Sequence, residues 1–131
     1  MYNKINDEIL SKLKEIIGEE FVFTDEENLK LYSRDYTEDL SFKPEVILKP
    51  STTEQISLIL KLANKFKIPV VPRGGGTGLS GGALTIYGGI CLSMEKFNKI
   101  IEIDKENFQA IVEDNEVVRY RVDAKISFIV Q

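Results

Sequence analysis

Histidine and tryptophan are absent from this chain, and cysteine occurs once, as Cys91. Without histidine there is no imidazole base and no ordinary zinc constellation, and a lone thiol closes no internal disulfide. Cys91 lies in the apolar run Ile90-Cys91-Leu92, which points to a buried structural thiol and away from a nucleophile. Positive charge is also in short supply. Seventeen Lys and Arg face 21 Asp and Glu, a net charge of −4, and aromatics make up 9% of the residues. That balance excludes the basic footprint of a nucleic-acid binder and gives no attraction to an anionic membrane surface. No apolar run approaches the length that spans a bilayer, so no transmembrane segment is expected. The opening Met1-Tyr2-Asn3-Lys4-Ile5-Asn6-Asp7-Glu8 is polar and acidic where a signal peptide is basic and then apolar, so a cytoplasmic location is the default expectation. At 131 residues the chain is one ordinary domain's worth of sequence, with a modest core.

Glycine, by contrast, is concentrated. Six of the nine glycines fall between Gly74 and Gly82, directly behind the apolar stretch Ile68-Pro69-Val70-Val71-Pro72. Missing Cβ atoms let successive N–H groups converge into a concave nest that holds a phosphate or pyrophosphate. Arg73 adds a permanent charge beside that nest, and Thr77 and Ser80 add hydroxyl donors. A glycine cluster on its own marks a plain turn more often than a site. The coincidence with Arg, Thr and a preceding strand is what favours an anion.

Two better-known phosphate motifs do not apply. Gly76-Thr77-Gly78-Leu79-Ser80-Gly81 matches G-x-G-x-x-G, but that pattern works by presenting a helix N-terminus to the ligand. Here Ala83-Leu84-Thr85-Ile86-Tyr87 runs straight into Gly88-Gly89, which leaves no room for an ordinary helix. A P-loop needs Gly-Lys-Ser or Gly-Lys-Thr, which the loop lacks. An anion at this loop is therefore expected to be held by loop amides and Arg73, without a helix dipole.

Three stretches then bring a family into view: Leu31-Tyr32-Ser33-Arg34-Asp35-Tyr36-Thr37-Glu38-Asp39, Pro44-Glu45-Val46-Ile47-Leu48-Lys49-Pro50-Ser51-Thr52-Thr53-Glu54-Gln55-Ile56, and Pro72 through Gly82. With support from 88–93 and 98–104, the sequence from about Tyr32 to Val112 resembles the first half of the FAD-binding domain of the vanillyl-alcohol-oxidase (PCMH) type. Within that family it resembles the glycolate oxidase FAD subunit and D-lactate dehydrogenase branch. The resemblance implies FAD as the cofactor and a pyrophosphate role for Pro72, Arg73, Gly74, Gly75, Gly76, Thr77, Gly78, Ser80, Gly81 and Gly82. It also implies a flavin-dependent oxidoreductase acting on 2-hydroxy acids, of which this chain would carry only the cofactor-binding front. No catalytic residue and no metal site can be carried over.

Around the loop the expected fold class is α+β, a small mixed sheet with packed helices. Ile5, Ile9, Leu10, Leu13, Ile16 and Ile17 recur at helical spacing and Gly18 stands at the stop. Thr24-Asp25-Glu26-Glu27 and Ser51-Thr52-Thr53-Glu54 have capping-box spacing, the second opening a helix with Ile56, Ile59, Leu60, Ala63 and Phe66 on its apolar face. That helix is expected to end near Lys67, because Pro69 disfavours helical geometry at Ile68. Strands are expected at Glu45–Lys49, Val70–Val71, Ile90–Ser93, Ile100–Ile103 and Gln109–Val112. The carboxylates of Asp35, Glu38 and Asp39 are read as a solvated cluster.

The division expected is a helical segment over residues 1–42, a FAD-binding subdomain over 43–113 and an atypical tail over 114–131. The tail departs from the family, which has a Pro-Gly turn and a helix at this point, and its Ile126, Phe128 and Val130 alternate like a strand. An interrupted flavoprotein is the preferred account of that departure. The alternatives are a split subunit that completes a flavin site with a partner chain, and a non-catalytic interaction module that pairs through an exposed sheet edge.

Overall fold

The computed structural model describes residues 1–112 and 117–118, and the tail strand expected around Ile126, Phe128 and Val130 lies outside them. The chain forms two units, Met1–Lys96 and Phe97–Gln131. In the first, helix α1 spans Asp7–Ile17 and a short 3-10 turn, Glu19–Phe21, leads into strand β1, Val22–Phe23. Helix α2 spans Glu26–Leu31, strand β2 Val46–Leu48, helix α3 Thr53–Phe66, strand β3 Val70–Arg73 and strand β4 Ile90–Ser93. The sheet order is β1-β2-β4-β3, with β1 antiparallel to β2 and the other three strands parallel. Helix α3 thus carries the chain from β2 to β3, and β4 returns to fill the place between them.

The alternation of side chains along β2 and β4 explains the layers. Val46, Leu48, Ile90 and Leu92 face one way and pack with Ile9, Leu13 and Ile17 of α1 and Ile59 and Ala63 of α3. Ile47 and Cys91 face the other way and meet Leu29 and Tyr32 at α2. Burying a Leu or Ile side chain as fully as Leu13 or Ile47 contributes roughly 1.5–3 kcal/mol. Both faces of the sheet are covered, so β4 is buried along its whole length.

The helix boundaries follow the sequence with one systematic shift. Helix α1 ends where expected, Gly18 taking φ 95° and returning its N–H to the Lys14 carbonyl. At α2 the cap is Asp25 and not Thr24: its carboxylate accepts the Asn28 N–H at 3.1 Å. At α3 the cap is Thr52 and not Ser51, its hydroxyl accepting the Gln55 N–H at 3.2 Å while Gln55 Oε1 takes the Ser51 N–H at 2.8 Å. Both helices start one residue late, and Leu29 and Ile59 are buried within them. Leu60, expected on the apolar face, is exposed, because it lies about 100° around the helix from Ile59. Strand β1 arises within the segment read as helical, since two apolar residues carry no period that marks a strand.

In the second unit, strands β5 (Ile100–Asp104), β6 (Gln109–Val112) and β7 (Val117–Val118) form an antiparallel sheet in that order. The β5–β6 turn is organised by Asp104, whose carboxylate accepts the N–H groups of Glu106 and Asn107.

Candidate functional site

Strands β2, β3 and β4 run parallel and in register, so their carboxyl ends fall on one edge of the sheet, the usual ligand edge of parallel α/β layers. Lys49 follows β2 there, Glu95 follows β4, and the glycine loop leaves from Arg73 at the end of β3. Pro72 is tolerated because β3 is an edge strand, where a residue without an N–H costs no ladder bond if it faces outward.

The loop is tethered from one side by the segment after α2. Tyr36 N–H donates to the Gly78 carbonyl at 3.0 Å, Gly81 N–H donates to Thr37 Oγ1 at 2.8 Å, and Leu84 N–H donates to the Gly81 carbonyl at 3.2 Å. The backbone N–H groups from Gly74 to Ser80 take part in none of these bonds. Gly74, Gly75, Thr77, Gly78, Ser80 and Gly82 are exposed, Gly81 is half-buried and Gly76 is buried.

The glycines sort into two kinds. Gly76 has φ +69° and an added Cβ would stand 2.4 Å from Arg73 Nη2, so the fold itself demands glycine there. Gly81, at φ +72°, is also conformationally set. At Gly74 and Gly82 the backbone is open to other residues and an added Cβ would meet nothing within 4 Å. Neither packing nor φ explains glycine at these two positions. Backbone open in this way can lie close against a ligand, and among the described residues the N–H groups from Gly74 to Ser80 are left to serve as donors.

Arg73, expected to hold a free charge beside the nest, sits beneath it. It is buried, Nη2 donates to the Arg34 carbonyl at 2.7 Å, Nη1 donates to the Tyr32 carbonyl at 3.3 Å, and the guanidinium lies 5.1 Å from the centre of the Tyr32 ring. Asp35, read as solvated, comes under the loop as well. One carboxylate oxygen accepts the Thr37 N–H at 2.8 Å, and the other, Oδ2, is enclosed near Gly78 without a hydrogen-bond partner among the described residues. Burial pushes its pKa up, but the hydrogen bonds from Thr37 and the charge of Arg73 outweigh that and hold it below the usual carboxylate value. Glu38 and Asp39 are exposed as expected.

A second polar group occupies the same edge. Tyr32 Oη donates to Glu95, and Lys49 Nζ lies 3.3 Å from the other oxygen of Glu95 and 5.5 Å from the centre of the Tyr32 ring. Burial, then the bond to Glu95, raises the Tyr32 pKa. Tyr32, Asp35 and Thr37 are the residues that loop chemistry alone misses. Their signal in the sequence was the stretch Leu31–Asp39, which carried the family resemblance while its carboxylates looked merely solvated. An open groove also runs along α3 between Ile56, Ser57, Leu60, Lys61 and Asn64; none of the loop residues lines it.

Comparison with known proteins identifies the family. The family described as FAD binding domain matches residues 44–119, more than half of the chain. The chain belongs to that family, and its cofactor is FAD. It is 42% identical over 112 residues to D-lactate dehydrogenase of Anaerostipes hadrus and 34% identical over 109 residues to glycolate oxidase subunit GlcD of Bacillus subtilis. These alignments take in 82% and 83% of this chain but 22% and 23% of the relatives, so the chain spans under a quarter of their length. Among solved structures, p-cresol methylhydroxylase superposes with a TM-score of 0.69 at 27% identity, covering 81% of this chain and 21% of that one. The fold is thus the PCMH-type α+β fold. Among the described residues no helix is long and apolar enough to cross a membrane.

Proposed function

We propose that this chain supplies the pyrophosphate-binding front of a FAD-dependent oxidoreductase acting on 2-hydroxy acids, with the rest of the flavin and substrate site coming from sequence outside it. The observation that carries the cofactor part is the pair Gly74 and Gly82, glycines that packing among the described residues does not require, at the two ends of a loop whose N–H groups from Gly74 to Ser80 have no acceptor among the described residues. Gly74, Gly75, Thr77, Gly78 and Ser80 would meet the phosphates, Gly76 and Gly81 give the loop its curvature, and Pro72 and Arg73 anchor it to the sheet. When bound, FAD supplies the two-electron redox chemistry, and the protein supplies orientation and charge.

The hydroxy-acid class rests on the likeness to a D-lactate dehydrogenase and a glycolate oxidase subunit. That the site is shared with further sequence is supported by the coverage of those relatives and by the openness of the loop, since cofactor affinity comes from clefts that bury most of the ligand. The same coverage fits either a longer protein or a partner chain.

The test is a FAD titration of the full chain followed by flavin fluorescence, repeated with Gly74→Val and Gly82→Val. Saturable binding that each variant weakens by at least about tenfold, with circular dichroism unchanged, is the expected result. Equal binding by parent and variants overturns the assignment.

A further inference from the structure

We infer that Arg73 is a positioning residue, a buried clamp that fixes the shape of the glycine loop from beneath, and that it does not itself contact the phosphates. The inference rests on the FAD-binding reading of the loop and specifies how the loop meets the ligand's charge.

Three observations converge on it. Arg73 is 9% exposed, and its two terminal nitrogens donate to the carbonyls of Tyr32 and Arg34. Tyr32 is the C-cap of α2, where carbonyls left over from the helix ladder seek donors and favour a cation. On the other side, Gly76 closes over the guanidinium so tightly that even a methyl group would collide with Nη2. The planar fork is therefore held between the end of a helix and the underside of the loop, with the Tyr32 ring 5.1 Å from it.

The electrostatics point the same way. The Arg73 charge already acts on Asp35, whose unpartnered Oδ2 lies near Gly78. A cation and a carboxylate together leave the floor of the loop without a net positive charge. On the ligand side, the phosphates would then meet oriented backbone dipoles and the hydroxyls of Thr77 and Ser80. Such a site needs its N–H groups aimed in advance, and fixing Gly76 against a rigid guanidinium does that. Lysine could not substitute, because an ammonium lacks the planar fork that reaches two separate carbonyls.

Two measurements on the full chain decide the matter. In the first, the free wild-type chain is treated with phenylglyoxal and modification of each arginine is read by peptide mass. A clamped Arg73 reacts at least ~10-fold more slowly than the exposed Arg34, since it must wait for local opening. Reaction at the rate of Arg34 overturns the proposal, whether or not FAD protects. In the second, Arg73→Lys and Arg73→Met are compared by FAD titration and by subtilisin cleavage within residues 74–82. The clamp predicts that both variants lose flavin affinity to the same extent, at least about tenfold, and that both expose the loop to cleavage. A Lys variant that binds like wild type while the Met variant does not would make Arg73 a charge contact instead. Should either variant fail to fold, the phenylglyoxal rates still decide. If the wild-type chain binds no FAD without the rest of the site, the arginine reactivity and loop cleavage still report on the clamp.

Discussion

At the scale of single residues, the six glycines of the loop are not equivalent, and this difference could not be read from their spacing. Sequence shows that glycine is dense between Gly74 and Gly82. It does not show which positions the fold requires and which are left open, because that depends on where Arg73 and Leu40 come to lie. Gly76→Ala should cost about 1–2 kcal/mol from the left-handed backbone alone. A further cost follows from displacing the guanidinium, and both should appear as a lower urea midpoint. Gly82→Ala should leave that midpoint unchanged, so equal losses in the two variants would refute the division into packed and open glycines. Cys91 shows the opposite case, in which sequence sufficed. Its apolar neighbours predicted burial, and it is fully buried with its pKa pushed up to about 11 by desolvation. The native chain should not react with Ellman's reagent at pH ~8, whereas the urea-unfolded chain should react at once.

At the scale of elements, α1, α3 and strands β2 to β6 were legible, because each has a strong period or a firm stop signal. Pro69 placed the end of α3, and the structure shows the means: Lys67 takes the left-handed C-cap conformation at φ 54° and ψ 48°. What escaped were short or locally degenerate features. Two successive residues at 51–52 can each cap α3, and in the structure Thr52 takes the cap while Ser51 is engaged by the Gln55 side chain. Thr52→Ala is therefore expected to destabilise the chain by about 1 kcal/mol, and Ser51→Ala by clearly less. Lys67→Gly should act in the other direction, adding roughly 0.5–1 kcal/mol by relieving the left-handed strain. Urea denaturation of the three variants checks both signs. A larger loss from Ser51→Ala than from Thr52→Ala would put the cap back at the position the capping-box pattern suggested.

At the scale of the whole molecule, the shifted ionisations predict a stability optimum bounded on both sides. Asp25, Asp35, Glu95 and Asp104 all have folded pKa values held below their ordinary values of 3.8 for Asp and 4.5 for Glu. For a depressed carboxylate the unfolded chain binds protons first as pH falls, so its contribution is present above the unfolded pKa and is lost on acidification through the folded one. Acid destabilisation should therefore begin just below pH 4.5, the upper of those values. On the alkaline side the shifts have the other sign. Cys91 is raised from 9.0 to about 11 by burial, and Tyr32 is raised above 10.0 by burial and by its bond to Glu95. Both groups ionise first in the unfolded chain, so stability should fall as pH rises from 9.0 towards 11. Lys49 adds to the same limb: burial lowers its pKa, but the bonds to Tyr32 and Glu95 raise it above 10.5, and the stabilisation is lost as it deprotonates. The midpoint of urea unfolding, followed from about pH 3 to about pH 11, should trace a plateau with two falling limbs. Cys91→Ala should delay the start of the alkaline limb, and Glu95→Gln should flatten the acid one. An alkaline limb that starts at the same pH in Cys91→Ala and in the parent would mean that the thiol is not held neutral by the core between β2 and α2.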